Sequence, residues 1–270
     1  MPRSEDSAVP LASEEPAQPR PEASAPTLAS LRARIFALLL ALFLHSVSFT
    51  VAYMLPIGGA WGGRFGTLLH SATLGTLMVA GSLLLASKDP DKLATFGLRL
   101  PAHRRSILIE FAIGIASVFA MYAAVLLFTF AMMGLLSSGA LADAAKSKEQ
   151  AVGQFSQIPI AVSVAIAVCA GLWEELAFRG FLFARIKAVF GIVAGKPVTR
   201  GALLRSVLLC SFLFALGHGY QGPIGLVQTF VAGLFLAGLT AWRGSIHAAI
   251  AAHVFVDTIG LVAVHFVKAS

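Results

Sequence analysis

Two adjacent carboxylates and an arginine lie in the middle of an apolar stretch of the sequence. Glu174 and Glu175 are neighbours, and Arg179 follows Glu175 by four residues. A charged side chain at the centre of a bilayer costs about 2.5–3.5 kcal/mol on insertion scales, so such residues are candidates for a function. In a helix, residues four apart share a face whereas neighbours diverge. We therefore expect Glu175 to form an ion pair with Arg179, which leaves Glu174 to face the interior.

Two histidines in later apolar stretches extend this set of ionisable groups. Phe214 and His218 are four residues apart, and so are His253 and Asp257. Each pair therefore shares one helix face. A helical rise of about 1.5 Å per residue places Glu174 and both histidines within the apolar slab. A carboxylate, two imidazoles and a second carboxyl group in one pocket could activate water for attack on a carbonyl group, with or without a metal ion.

The elements that must hold these residues are transmembrane helices. The chain is 57% hydrophobic and 12% charged, against about 25% charged in soluble domains. A helix needs about 20 apolar residues to cross the hydrocarbon core, and seven segments qualify. Their approximate ranges are 35–55, 67–86, 107–134, 159–183, 203–220, 223–242 and 245–267, and the fourth is expected to continue toward residue 190. The predicted fold class is all-α, a polytopic transmembrane helix bundle of about seven spans.

Two regions are expected along the chain. Residues 1–30 are rich in Pro, Ala, Ser and Glu, which predicts a disordered cytoplasmic tail because such a segment buries little apolar surface. Residues 31–270 form the predicted transmembrane domain. Lys and Arg near the span ends fall mostly on the side of the N-terminus, and this bias predicts that the N-terminus is cytoplasmic. The basic residues form no stripe with aromatic residues, so we expect a lipid bilayer and no nucleic acid as partner.

The residues described above form three motifs, which in order read Glu174-Glu175-x-x-x-Arg179, Phe214-x-x-x-His218 and His253-x-x-x-Asp257. Together they resemble the motifs of the CPBP family, which comprises CAAX prenyl proteases of type II and proteins of bacteriocin processing and self-immunity. The resemblance covers about residues 159–262. It implies an intramembrane endopeptidase of a bacterial plasma membrane, acting on a membrane-associated protein or peptide.

The resemblance also implies a role for each side chain. Glu174 and His218 would activate the attacking water, and His253 and Asp257 would stabilise the oxyanion or complete a metal site. Glu175 and Arg179 would be the supporting ion pair. The family resemblance leaves a zinc-dependent and a metal-free glutamate mechanism open. If a metal is used, its candidate ligands are Glu174, His218, His253 and Asp257.

Asp257 departs from one pattern of the family. Well-studied prenyl-protein proteases of this kind tend to have Asn at this position, although Asp occurs among bacterial members. An ionised Asp257 would repel an oxyanion and would suit a metal ion, whereas a protonated one could donate a hydrogen bond. The aspartate slightly favours metal assistance.

Alternatives to catalysis follow from the same residues. A buried ion pair or a single histidine can simply hold helices together, and the protein could be an idle adaptor, a bacteriocin-immunity factor or a proton-coupled transporter. The three motifs in order favour the peptidase, and the Glu175–Arg179 pair weakly disfavours a proton relay. The sequence has no Gly-x-Ser-x-Gly or His-Glu-x-x-His motif of other protease classes. A structural role is expected for the remaining histidines, His45, His70, His103, His247 and His265.

Overall fold

The computed structural model describes residues 28–54, 66–88, 96–98, 104–135, 153–191 and 198–267, with isolated positions between 139 and 149. These residues form helices and turns without strands, as the predicted all-α class requires. The α-helices are α1 (Leu28–Met54), α2 (Gly66–Leu85), α3 (Arg104–Leu135), α4 (Ile160–Glu174), α5 (Phe183–Val189), α6 (Arg200–Leu216), α7 (Gly222–Arg243) and α8 (His247–Val267).

The lengths of these helices fit a multi-pass integral membrane protein. Within the described residues, six stretches are long and apolar enough to cross a membrane, namely α1, α2, α3, the continuous stretch Ile160–Val189, a stretch ending with α7, and α8. The predicted fifth span corresponds to α6, which has 17 residues. At about 1.5 Å per residue α6 is about 26 Å long, slightly less than the hydrocarbon core of about 30 Å. The prediction of about seven spans is confirmed approximately.

The first described helix of the chain, α1, begins at Leu28. Of the tail predicted for residues 1–30, residues 1–27 lie outside the described part of the chain. The cytoplasmic location of the N-terminus stays a prediction.

The outer faces of the helices are apolar, as a lipid environment requires, with exposed side chains such as Phe36, Leu84 and Phe119.

A π-helical segment, Glu175–Leu182, joins α4 to α5 without a break. Short π-helical stretches are rare and occur mostly at functional sites. The segment lies in the middle of the protein, since Phe181 and Leu182 are completely buried. A Cβ atom on Gly180 would lie 2.7 Å from the carbonyl oxygen of Phe96. Only glycine therefore allows residues 96–98 to approach the widened helix so closely.

Helix α8 is inserted between α3 and α4, and glycines make both approaches possible. A Cβ atom on Gly171 of α4 would lie 2.7 Å from Val254 Cγ2. A Cβ atom on Gly114 of α3 would lie 2.7 Å from Ala251 Cβ. Small residues at helix crossings let backbones pack closely where lipid offers no hydrophobic driving force. The helix that carries two of the predicted catalytic residues is therefore in tight contact on two sides.

The turn between α7 and α8 is held by a partly buried ion pair. Arg243 donates through Nε to Glu110 Oε1 at 3.0 Å and also contacts this oxygen through Nη2. Ser245 Oγ lies 3.5 Å from Glu110 Oε2, and Gly244 takes a left-handed φ of 67° that glycine favours at a helix C-terminus. Although Glu110 is near the N-terminal end of α3, its side chain is buried against Arg243.

Candidate active site

The four predicted catalytic side chains converge on one point in the bundle. Glu174 ends α4, and its Oε2 atom lies 3.7 Å from His218 Nε2 and 3.8 Å from His253 Nε2. On α8, His253 Nε2 also lies 3.4 Å from Asp257 Oδ2. The first two distances exceed the usual range of about 2.7–3.2 Å for a hydrogen bond. The groups thus face one another while their reactive atoms are not satisfied by a short hydrogen bond.

The other ring nitrogen of each histidine identifies its tautomer. His218 Nδ1 lies 3.0 Å from the carbonyl oxygen of Phe214, and His253 Nδ1 lies 2.8 Å from Glu175 Oε1. Carbonyl and carboxylate oxygens only accept hydrogen bonds, so each Nδ1 carries a proton and donates it. In the neutral rings, both Nε2 lone pairs are then directed toward Glu174. Two proton acceptors therefore converge on this carboxyl group.

Glu175 is the neighbour with a different role. Its Oε1 atom accepts from Arg179 Nη1 at 2.8 Å, the contact expected from their spacing, and both side chains are 0% exposed. The same oxygen accepts from His253 Nδ1. The sequence did not predict this second contact, because Glu175 and His253 are 78 residues apart in the chain. Glu175 thus connects the buried arginine to the imidazole that faces Glu174.

Phe214 packs against three of these side chains. The Arg179 Cζ atom lies 3.8 Å from the centre of the Phe214 ring, a cation–π geometry. The Phe214 ring centre lies 4.7 Å from that of His218 and 5.8 Å from that of His253. The sequence motif included Phe214 without giving it a role. Its four-residue spacing to His218 was the only local signal, and the contact with Arg179 depends on the packing of α6.

His218 lies just beyond the helix on which it was expected. The fifth span was predicted to continue to residue 220, but α6 ends at Leu216, and His218 lies in the following turn. Its imidazole donates to the carbonyl of Phe214, so it satisfies a carbonyl group that the helix end leaves free. No other segment of the described structure lies within 4 Å of a Cβ atom on either flanking glycine, Gly217 or Gly219.

Exposure differs across the site. The side chains of His253 and Glu174 are 6% and 11% exposed, whereas those of His218 and Asp257 reach 19% and 36%. Asp257 is therefore more exposed than Glu174, although both lie within membrane-spanning stretches. Tyr220, which the sequence reasoning missed, stacks near the His218 ring with centres 6.1 Å apart, and it is exposed. The site therefore opens toward His218, Tyr220 and Asp257.

The donor set suits zinc in kind, because zinc sites combine His nitrogen and carboxylate oxygen atoms. Each histidine donates its other ring N–H to an oxygen, as metal-bound histidines usually do. However, among the described residues no group of three His, Cys, Asp or Glu side chains is arranged to hold one metal ion. A zinc-dependent mechanism stays a prediction, and the reaction proposed below is written without a metal ion.

Two of the remaining histidines make contacts typical of a structural role. His45 Nε2 lies 3.1 Å from Ser82 Oγ, and His265 Nε2 lies 3.1 Å from Ser163 Oγ. Each contact joins two helices, as expected for polar groups inside a helix bundle. His103 lies outside the described residues.

Comparison with known proteins concerns the segment that carries the candidate site. Residues 156–259 match the family model described as Type II CAAX prenyl endopeptidase Rce1-like. No curated protein and no solved structure gave a significant match. All six side chains of the ion pair and the converging group lie within the matched segment. The resemblance predicted from the three motifs is therefore confirmed, and the segment that holds the candidate active site is similar to the type II CAAX prenyl endopeptidases.

Proposed function

We propose that the protein is an intramembrane endopeptidase that hydrolyses a peptide bond of a membrane-associated protein or peptide. One observation carries this proposal: the Nε2 atoms of His218 and His253 both face Glu174 Oε2 inside a helix bundle. A carboxylate beside two imidazoles is a set of groups that can move protons during attack by water. The family match over residues 156–259 supports the same reaction class.

Glu174 is the proposed general base. A water molecule held by Glu174 and by the acceptor nitrogen of His218 gives one proton to Glu174 as its oxygen attacks the carbonyl carbon. The carbonyl oxygen becomes the oxyanion of a tetrahedral intermediate. Glu174 then returns the proton to the leaving nitrogen, the C–N bond breaks, and a carboxyl group and an amine are released. The base is therefore regenerated in each cycle.

His253 is the proposed oxyanion stabiliser. His253 is proposed to enter and leave the cycle as an imidazolium, so that Nε2–H donates a hydrogen bond to the oxyanion while Nδ1 continues to donate to Glu175. The carboxylate of Glu175 then compensates the positive charge of the ring, and the buried Arg179 holds that carboxylate in place. Asp257, next to His253 Nε2, is proposed to donate a second hydrogen bond in its protonated form. Donors fixed in advance at a developing charge supply a large part of enzymatic rate enhancement.

The location of the site restricts the substrate class. Glu174 lies within the membrane-spanning stretch Ile160–Val189, so a scissile bond must reach the interior of the bundle. A peptide anchored in the bilayer by its own apolar segment or by a lipid meets this requirement.

The direct test is a comparison of membrane peptides from cells that produce the wild-type protein or the Glu174→Gln variant. We expect at least one peptide terminus that is present with the wild type and absent with the variant, because an amide cannot act as the base. Cys169→Ser is a matched control, since Cys169 lies on the same helix outside the converging group. Identical termini in all three samples would overturn the peptidase proposal and favour an idle adaptor or immunity factor.

A further inference from the structure

Helix α8 carries His253 and Asp257, and one side chain from α3 is bonded to its backbone between them. Tyr122 Oη donates to the carbonyl oxygen of Val256 at 3.1 Å. Val256 directly precedes Asp257 and follows His253 by three residues. Tyr122 and Val256 also pack in the apolar cluster that α3 shares with α7 and α8. The hydroxyl group is thus bonded to the part of α8 that projects into the site.

This hydrogen bond can restrain the position of α8 along its axis and its rotation about that axis. A carbonyl oxygen in a helix has a second lone pair, which can accept from a side chain while the helical hydrogen bond stays intact. Because the acceptor is main chain, the bond fixes the height and rotation of α8 whatever the side chain at position 256. Such a contact between distant segments restrains the helix as a body.

A second contact repeats this register two turns away. Gly114 of α3 packs against the backbone of α8 at Ala248, while Tyr122 bonds to Val256. The spacing is the same on both helices, since 122 − 114 and 256 − 248 both equal 8. The two helices therefore run in the same direction. They keep the same register over about 12 Å, at about 1.5 Å per residue. The first contact is steric, and only the second is a directed hydrogen bond.

The consequence for the site follows from its distances. His253 Nε2 lies 3.8 Å from Glu174 Oε2 and 3.4 Å from Asp257 Oδ2. A slip of α8 by one residue would move both side chains by about 1.5 Å relative to α4. Misplacement of reacting groups by about 1 Å can reduce a rate about a hundredfold. The helix therefore needs a restraint close to these two residues.

We propose that Tyr122 is a positioning residue of the candidate active site: its hydroxyl holds α8 in the register that directs His253 and Asp257 toward Glu174. This inference rests on the proposed function for its effect on catalysis. Its structural part concerns the orientation of His253 and stands independently of any substrate.

Tyr122→Phe is the test variant, since it removes the hydroxyl group and keeps the ring in the apolar cluster. Thr129→Val is the matched control. Thr129 also lies on α3, and its hydroxyl accepts from Gln228 Nε2 of α7 at 2.9 Å. The control therefore removes an interhelical hydrogen bond from the same helix without touching α8. Both variants should have similar thermal stability in detergent.

The first readout is hydrolysis of the peptide identified in the membrane comparison above. For Tyr122→Phe we expect kcat to fall about tenfold, because the reacting groups are displaced. We expect KM to stay within about twofold, since no substrate contact is removed. Thr129→Val should retain both constants. Wild-type kcat in Tyr122→Phe, or an equal fall in both variants, would overturn the proposal.

The second readout is independent of proteolysis. In protein with isotope-labelled histidine, the ring-nitrogen NMR signals of His253 are assigned by their loss in His253→Ala. We expect these signals to shift in Tyr122→Phe and to stay in place in Thr129→Val, while the signals of His45 and His265 stay in place in both. Unchanged His253 signals in Tyr122→Phe would overturn the inference. A shift without peptide cleavage by the wild type would uphold the positioning role and refute the peptidase.

Discussion

Two carboxylate–guanidinium pairs lie in different parts of this molecule, one fully buried and one partly buried, and they differ in origin and use. Glu175 and Arg179 are four residues apart in one helical stretch, and both side chains are 0% exposed. Glu110 and Arg243 are 133 residues apart on different helices, and the Arg243 side chain is 28% exposed. The third partner is His253 in the first case and Ser245 in the second. The first pair supports an imidazole, whereas the second holds a turn.

This difference shows that a buried charge pair is not by itself a sign of catalysis. Both carboxylates are shielded from solvent and both meet an arginine. Only Glu175 also touches a ring whose other nitrogen faces a second carboxylate. An aromatic ring lies near both arginines, but Phe214 is buried at 3.8 Å from Arg179, whereas Trp242 is exposed at 5.2 Å from Arg243. We expect the third partner to determine the role of each pair.

The largest contrast should appear in hydrolysis. We expect Glu174→Ala, His218→Ala and His253→Ala each to lose at least about a hundredfold in activity, the usual contribution of acid–base groups. Each should still insert into the membrane. Glu110→Gln should retain activity per folded molecule, because it alters the other region. The measurement is cleavage of the identified peptide by equal amounts of folded protein. An inactive Glu110→Gln variant would show that the two regions are not separable.

The next contrast concerns stability. Arg179→Ala leaves Glu175 buried without its cation, which typically costs about 3–5 kcal/mol. Arg243→Ala should cost less, because Arg243 is partly exposed and solvent screens its interaction with Glu110. Thermal unfolding of both variants in the same detergent compares the two losses. Equal destabilisation would contradict the distinction between a sealed pair and a partly solvated one.

The aromatic partners of the arginines should show a smaller difference. Phe214→Leu removes a desolvated cation–π contact and shrinks a buried side chain, so we expect a loss of about 1–3 kcal/mol in the free energy of unfolding. Trp242→Leu at the exposed position should change it by under about 0.5 kcal/mol. Denaturation of both variants and the wild type under the same conditions measures these changes in the free energy of unfolding. A larger effect of Trp242→Leu would mean that the turn region depends on its aromatic residue more than the site does.

The smallest effect is expected at Asp257. Asp257→Asn keeps a hydrogen-bond donor next to His253 Nε2, so activity should stay within about tenfold of the wild type if the carboxyl group acts as a donor. Addition of a chelator should then affect the variant and the wild type alike. Complete loss of activity, or a chelator response confined to the wild type, would instead identify Asp257 as a charged metal ligand. Rates with and without chelator decide this point.

Parts of the fold and site could be predicted because they depend on local sequence. Apolar runs of about 20 residues identified the spans, and the fourth was correctly extended through the stretch Ile160–Val189. The end of α6 was placed too late, since Gly217 and Gly219 read as packing positions and not as the end of a helix. The burial of Glu110 was missed because its partner is on another helix.

By itself the sequence determined that the protein lies in a lipid bilayer, the order of its helices, and which pairs of residues share a helix face. These features could be read from the sequence because hydropathy and helical periodicity are local properties. It thereby separated Glu174 from Glu175 and joined Glu175 to Arg179. Only the tertiary structure decided that Glu175 also bonds to His253, that Phe214 covers Arg179, and that Tyr122 holds the backbone beside Asp257. These contacts depend on the tilt, rotation and register of helices that are distant in the chain. Packing between spans sets those quantities, and no spacing along a single helix records them.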